Sequence, residues 1–275
     1  MRIATLGRST RAYSLPASVV PVLLGTVLAA RGCGTAGHGH FGLTIFLWVL
    51  FGAVFAHIGA NVLNDYFDFV NGVDTLPEHG SGVITRREMT APQALLVALV
   101  FLAIATVCGL MVFRAQPSFV GWWVLIGLGC AVFYSAFLKR FALGDLLIML
   151  SFGIGLTVGA YGVQARFLTL RGCLLAALYS IPICLLVDAI LHANNLRDTL
   201  SDRSAKVRTI ATVLSPGGGQ RFQLFLLFGP LAFVIAAVIG GWLPLWSLIT
   251  LLATPLLLRA AKNGNVEGTA QTHLV

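Results

Sequence analysis

Long apolar runs broken by short polar stretches recur along the whole chain, and amides and acids gather where several of the runs stop. Runs that approach the ~20 residues needed to carry a helix across ~30 Å of hydrocarbon lie at about 15 to 30, 42 to 63, 94 to 113, 119 to 138, 143 to 163, 170 to 191, 222 to 239 and 243 to 258. Eight spanning helices are predicted. A closed β-barrel also satisfies every backbone group in lipid, but it requires short alternating segments in place of continuous runs. The expected fold is therefore all-α, a polytopic transmembrane bundle that forms one domain over 1–275. The loops at about 64–93 and 193–221 are the ones long and polar enough for chemistry. The first run follows Arg2, Arg8 and Arg11 and precedes Ala29 and Ala30, the arrangement of a secretory signal. With seven more runs after it, an uncleaved first helix is the expected reading.

Composition agrees with the pattern. The 275 residues are 57% hydrophobic and 10% charged, with a mean hydropathy of +0.89, too little polar surface to cover a water-soluble domain. Charge sets the orientation. If the N-terminus is cytoplasmic, 14 of the 18 Lys and Arg fall in inside segments, leaving only Arg31, Arg114, Arg166 and Arg171 outside. Nine of the ten acids fall on the same side, and the tenth, Asp188, lies near the cytoplasmic end of its helix. The positive-inside rule accounts for the bases and not for the acids, so the acids need a separate cause. The net charge of +8 follows from topology and an anionic lipid bilayer, and implies no nucleic-acid partner. Cys33, Cys108, Cys130, Cys173 and Cys184 form no CxxC pair and support neither a disulfide framework nor a zinc site.

The acids collect in two ladders. In NDYFDFVNGVD (64–74) and just before it, Asn61, Asn64, Asp65 and Asp68 are spaced by three or four, so a helix carried past Leu63 puts them on one side. In NNLRDTLSDRSAKVRT, Asn194, Asp198, Asp202 and Lys206 are each four apart, and Asp188, Asn195 and Asp202 are seven apart on the next stripe. A single acidic stretch at a membrane edge reads as a solvated loop; two with the same spacing on one face read as a site. Carboxylates this close repel one another unless a cation sits among them. Their oxygens suit Mg²⁺, which binds through one or two carboxylates together with substrate phosphate. Arg197, Arg203, Lys206 and Arg208 are placed to reach phosphate oxygens. In FYSAFLKRFALGD, Tyr134 and Lys139 precede Arg140 and Asp145; alone they are an interfacial tyrosine and snorkelling cations, but beside the ladders they become candidate diphosphate ligands. His57 lies about two turns before Asn64, and is expected to be a hydrogen-bonded packing residue or part of an aromatic pocket.

These residues resemble the UbiA superfamily of intramembrane aromatic prenyltransferases, which carries an NDxxDxxxD-like first motif and a DxxxD second motif. The matches are NDYFDFVNGVD at 64–74 and DTLSD at 198–202. The ending Gly72, Val73, Asp74, the N-terminal RAYSLPASVVPVLLGT, GSGVI at 80–84 and NNLRD at 194–198 look like the 1,4-dihydroxy-2-naphthoate branch that makes menaquinone. The likeness runs from about residue 8 to 258. Two features depart from the pattern: AKVRT at 205–209 stands where the family usually has an AGKxT-like stretch, and a ninth helix would begin at THLV, the last residues of this sequence.

The resemblance implies Mg²⁺-dependent transfer of a polyprenyl group from polyprenyl diphosphate to an electron-rich aromatic acid. Asn64, Asp68, Asn194, Asp198 and Asp202 are the expected metal-binding residues, and Asp65 is a second-sphere or alternate ligand. Tyr134, Lys139, Arg197, Arg203 and Lys206 would hold the diphosphate. Asp65 or Asp74 would take the ring proton or orient a phenol, and with dihydroxynaphthoate loss of CO₂ replaces proton loss. Residues 75–93 are long enough for a lid that excludes water. The apolar helices would enclose the isoprenoid tail. 4-Hydroxybenzoate, homogentisate and a lipid glycerol phosphate are the alternative acceptors. A cation transporter is the reading from another class, and it predicts acids near the membrane midplane, whereas these sit at one edge. No feature of the pattern fixes an oligomeric state.

Overall fold

The structure is a computed structural model that describes residues 3–73, 80–114, 117–136, 144–204 and 207–263. No strand occurs among the described residues. The helices are α1 (Ile3–Ser9), α2 (Pro16–Ala30), α3 (Leu43–Val70), α4 (Ala91–Phe113), α5 (Pro117–Ala136), α6 (Gly144–Ile148), α7 (Leu156–Gln164), α8 (Leu170–Arg197), α9 (Thr199–Ser204), α10 (Ile210–Val213), α11 (Pro216–Ile239) and α12 (Thr254–Asn263). A π-helical turn, Met149–Gly155, joins α6 to α7, and the 3₁₀ segment Leu245–Ala253 leads into α12. Among the described residues seven segments are long and apolar enough to cross a membrane, and α5 contains a shorter apolar stretch, Phe119–Gly129. Each of the eight predicted runs thus has its helix, and the protein is a multi-pass integral membrane protein of helical-bundle fold.

The helices begin where the sequence supplies caps. Thr90 and Gln93 form a capping box at the start of α4. Thr169 and Ser215 accept backbone N–H groups at the starts of α8 and α11, and Pro216 opens the latter. The principal differences from the predicted spans are at the polar ends: α3 continues to Val70 and α8 to Arg197. Hydropathy marks only the part in lipid, while hydrogen bonding at spacing four carries each helix on through its ladder of amides and acids.

Packing pairs α3 with α4, α2 with α7, and α8 with α11. On the outer surface Leu96, Leu99, Leu110, Leu125 and Leu174 are exposed, the lipid-facing shell expected of such a bundle. Inside, small residues allow backbones to meet. A side chain at Gly25 of α2 would overlap the carbonyl oxygen of Thr157 on α7, and one at Gly153 would overlap Cys184 of α8.

The loop predicted as a lid is partly fixed. Val83, Ile84 and Met89 are buried in a core cluster with Val62, Leu63 and Ala94, so the segment 80–90 is anchored against α3 and α4. Positions 75–79 of the predicted lid lie outside the described residues. The same segment holds α1, because Thr5 donates to Glu88 at 3.2 Å and Arg8 forms an ion pair with Glu88.

Gly25→Val is expected to destabilise the bundle by ~1–3 kcal/mol through overpacking, seen as a lower melting temperature in detergent. Gly217→Ala, whose added carbon meets nothing within 4 Å, serves as the unaffected reference. A pH effect follows from α1. The hydrogen bond from Arg8 holds the Glu88 carboxyl below the usual range. A depressed folded pKa contributes stability above the unfolded value and loses it as pH falls through the folded value. Amide exchange in Ile3–Ser9 should therefore quicken, relative to the rest of the bundle, as pH drops below the ordinary glutamate range. Glu88→Gln should produce the same loosening at neutral pH.

Candidate active site

The extended ends of α3 and α8 place their ladders on one cavity of about 220 Å³. From α3 it is lined by Asn61, Asn64 and Asp68, and from α8 by Asn194, Asn195, Arg197 and Asp198. The N-terminal segment adds Arg11, Tyr13 and Ser14 to the rim. Deeper in, the lining turns apolar, with Ala53, Ala56, Ile148, Phe152 and Leu156 among its walls. One end of the cavity is thus an oxygen-rich mouth and the other a hydrocarbon pocket.

Within the mouth the polar groups are partly committed to one another. The Asn64 amide donates to Asp68 Oδ2 at 2.9 Å, and its own carbonyl oxygen is buried without a hydrogen-bond partner. Arg197 grips Asp198 through both oxygens, Nε to Oδ1 at 2.6 Å and Nη2 to Oδ2 at 2.5 Å. Among the described residues no three His, Cys, Asp or Glu side chains are grouped closely enough to hold a metal by themselves. The donor set still fits Mg²⁺: the unpartnered Asn64 oxygen, Asp68, Asn194 and Asp198 are hard oxygen ligands, and this ion ordinarily takes its remaining ligands from water and substrate phosphate.

Asp65 has a different place. It is 4% exposed, does not line the cavity, and is held by an ion pair with Arg11 and a hydrogen bond from the Ser81 hydroxyl, with the Ser81 N–H at 3.4 Å. Burial lowers the Arg11 pKa, but the facing Asp65 carboxylate outweighs it and the net shift is upward. Arg11 adopts the left-handed backbone conformation at φ 48°, which is uncommon for a residue with a Cβ and persists where the surroundings over-determine it. The Asp65 pair is that surrounding.

Other predicted residues fall apart from the cavity. Asp202 is buried on α9 and does not line it. Arg203 reaches the Thr212 carbonyl at 3.4 Å and does not line it either. Asp74, Lys139 and Lys206 lie outside the described residues, and Tyr134 lies on α5 with its side chain outside the description. His57 does line the cavity: its ring nitrogens meet the hydroxyls of Ser14 at 3.2 Å and Ser18 at 2.8 Å, and it stands edge-on to Phe152 at 4.7 Å between centroids. Sequence reasoning missed Arg11, Tyr13 and Ser14 as cavity residues, having counted Arg11 only as a topology-setting cation. Behind α8, Asp145, Asp188 and His192 are buried together, with His192 Nδ1 3.6 Å from Asp145 and Nε2 3.0 Å from the Gly219 carbonyl; none of them lines the cavity.

Comparison with known proteins gives one consistent result. The UbiA prenyltransferase family model matches residues 18–266. A UbiA prenyltransferase domain-containing protein 1 homolog of Drosophila melanogaster is 33% identical, covering 100% of this chain and 75% of its own length. The 1,4-dihydroxy-2-naphthoate octaprenyltransferase of Bacillus subtilis (strain 168) is 29% identical over 94% of this chain and 81% of its own. Among solved structures, that of a UbiA homolog from Archaeoglobus fulgidus bound to GPP and Mg²⁺ shares the fold, with a TM-score of 0.59 at 14% identity over 98% of this chain and 88% of that one.

Arg11→Gln should leave the buried Asp65 charge short of its partner and destabilise the protein by roughly 3–5 kcal/mol. Melting in detergent of Arg11→Gln, Asp65→Asn and the double variant measures it. The double variant should recover most of the loss, and an Arg11→Gln protein that melts like wild type would remove the pair from the account.

Proposed function

The chain belongs to the UbiA prenyltransferase family, and on that premise we propose that it is the enzyme that transfers a polyprenyl group from its diphosphate to 1,4-dihydroxy-2-naphthoate. The observation that carries this reading is the single cavity in which Asn64 and Asp68 of α3 face Asn194 and Asp198 of α8 above an apolar pocket. That division matches a donor with an anionic head and a hydrocarbon tail. The B. subtilis relative named for the same acceptor supports the choice of acid, and the A. fulgidus homolog bound to GPP and Mg²⁺ supports the donor and the ion. The bias of basic residues supports a cytoplasmic mouth.

In this mechanism Asn64, Asp68, Asn194 and Asp198 are the residues that would hold Mg²⁺. Mg²⁺ supplies neutralisation of the charge that builds on the leaving diphosphate. Arg197 lies at the same mouth and, released from Asp198, gives a planar pair of donors to phosphate oxygens. Donors aimed at charge that grows as the allylic C–O bond breaks favour the transition state over the ground state. Phe152 and the edge of His57 form a wall against which the aromatic acceptor lies. The acceptor's ring carbon bonds to the allylic carbon, diphosphate leaves with the C–O electrons, and the carboxylate on the same ring carbon departs as CO₂, returning its electron pair to the ring. Asp65, tied to Arg11 and Ser81, positions the α3 ladder and carries no proton in this scheme.

The test is transfer of a radiolabelled prenyl group in membranes, with and without Mg²⁺, by wild type, Asp68→Ala and Asp198→Ala. Wild type should give product only with Mg²⁺, and each variant should lose about 100-fold or more in rate. Equal product in chelator, or an Asp68→Ala enzyme as fast as wild type, would sink the metal assignment. Product from 4-hydroxybenzoate but not from dihydroxynaphthoate would move the acceptor while leaving the donor site in place.

A further inference from the structure

A second cavity of about 170 Å³ lies between α3, α4, α5 and α7, with Trp48, Phe119 and Trp123 on its sides. Ala53, Ala56, Gly127 and Leu156 line both cavities, so the two adjoin at these four residues, the neck between them.

The second cavity is built for hydrocarbon. Among the described residues no charged side chain lines it. The Trp123 indole N–H donates to the Gly155 carbonyl at 2.7 Å, and the Thr106 hydroxyl to the Leu102 carbonyl at 2.8 Å, so neither has a donor left for an occupant. An apolar space without polar partners does not retain water. Neither cavity alone reaches the ~300 Å³ at which ligand pockets ordinarily begin, whereas the two joined pass it.

Distance along α3 says which part of a substrate would lie where. Ala56 and Ala53 stand eight and eleven residues before Asn64, roughly 12 and 17 Å at ~1.5 Å per residue. An extended isoprene unit, four chain carbons long, covers roughly 5 Å from ordinary C–C bond lengths. With the diphosphate at Asn64, the first two units stop short of the neck and the fourth and later units lie beyond it.

Gly127 differs from the other glycines around the second cavity. A Cβ at Gly52, Gly109, Gly155 or Gly159 would press on Cys108, Val124, Leu150 or Trp123 respectively, so close packing accounts for each of them. A Cβ at Gly127 meets nothing within 4 Å. Packing does not require a glycine there; an open passage does.

We infer that Gly127 is a specificity-determining residue: it keeps open the neck through which the distal isoprene units of a long polyprenyl diphosphate enter the second cavity. This rests on the reading of the first cavity as a polyprenyl diphosphate site. A side chain at 127 projects into the passage without displacing a neighbour, so it excludes long donors and leaves short ones bound.

The experiment measures binding, which does not depend on the acceptor. Unreactive geranyl and geranylfarnesyl thiodiphosphates are titrated with Mg²⁺ into the full-length chain in detergent, as wild type, Gly127→Ala and Gly127→Leu. Gly127→Leu should weaken geranylfarnesyl binding by at least about tenfold and change geranyl binding by less than about threefold, with Gly127→Ala between. Retained geranyl binding shows that the variant is folded. Ala53→Leu, closing the neck from α3, should reproduce the same selective loss. Equal loss of both ligands, or loss of neither, in Gly127→Leu and Ala53→Leu overturns the neck. Wild type that binds neither chain overturns the diphosphate reading and the neck together, a result distinct from wild type that binds both while the variants do so equally well.

Discussion

A carboxylate at the edge of a hydrocarbon layer must find a partner, because a charge left in that environment costs several kcal/mol. The site in this protein is organised by how each acid meets that demand. Asp65 is neutralised from within the chain, by Arg11 and Ser81. Asp198 is gripped by its neighbour Arg197. Asp68 takes the Asn64 amide, and that bond leaves the Asn64 carbonyl oxygen buried and unmatched at the cavity. The acids therefore differ in where their commitments leave them: Asp65 lies away from the cavity, whereas Asp68 and Asp198 line its mouth.

The bundle was legible because hydrocarbon enforces continuous apolar runs, and all eight runs became helices. The meeting of Asn64 and Asp68 with Asn194 and Asp198 was legible because helical spacing of four survives past the end of each span. Arg11 was not. A lone arginine before a first helix looks like any topology-setting cation, and its partner lies 54 positions away. Asp202 is a different case: α8 ends at Arg197 and α9 begins at Thr199, the Asp202 N–H still bonds the Asp198 carbonyl at 2.9 Å, and yet the Asp202 side chain is buried away from the cavity lining. The second cavity left no mark in the sequence either, since its walls are ordinary apolar residues whose spacing is that of any buried helix.

The π-helical turn Met149–Gly155 sits where the two cavities approach each other. Ser151 and Phe152 line the first, Gly155 lines the second, and Leu156, the residue after the turn, lines both. An extra residue in a helical turn shifts the faces that follow it. Here that shift lets one continuous segment wall a polar-mouthed site and an apolar chamber, while the Trp123 indole caps the Gly155 carbonyl that the irregular turn presents.

Arg11 and Ser81 clasp Asp65 from either side of it in the chain, and α8 follows more than eighty residues later. During synthesis the N-terminal part of a chain emerges and folds first. Both groups that hold Asp65 are thus made before α8, whereas Asp68 must wait for the second ladder before its cavity exists. The clasp thus ties one wall of the cavity together with residues that are all made before its opposite wall.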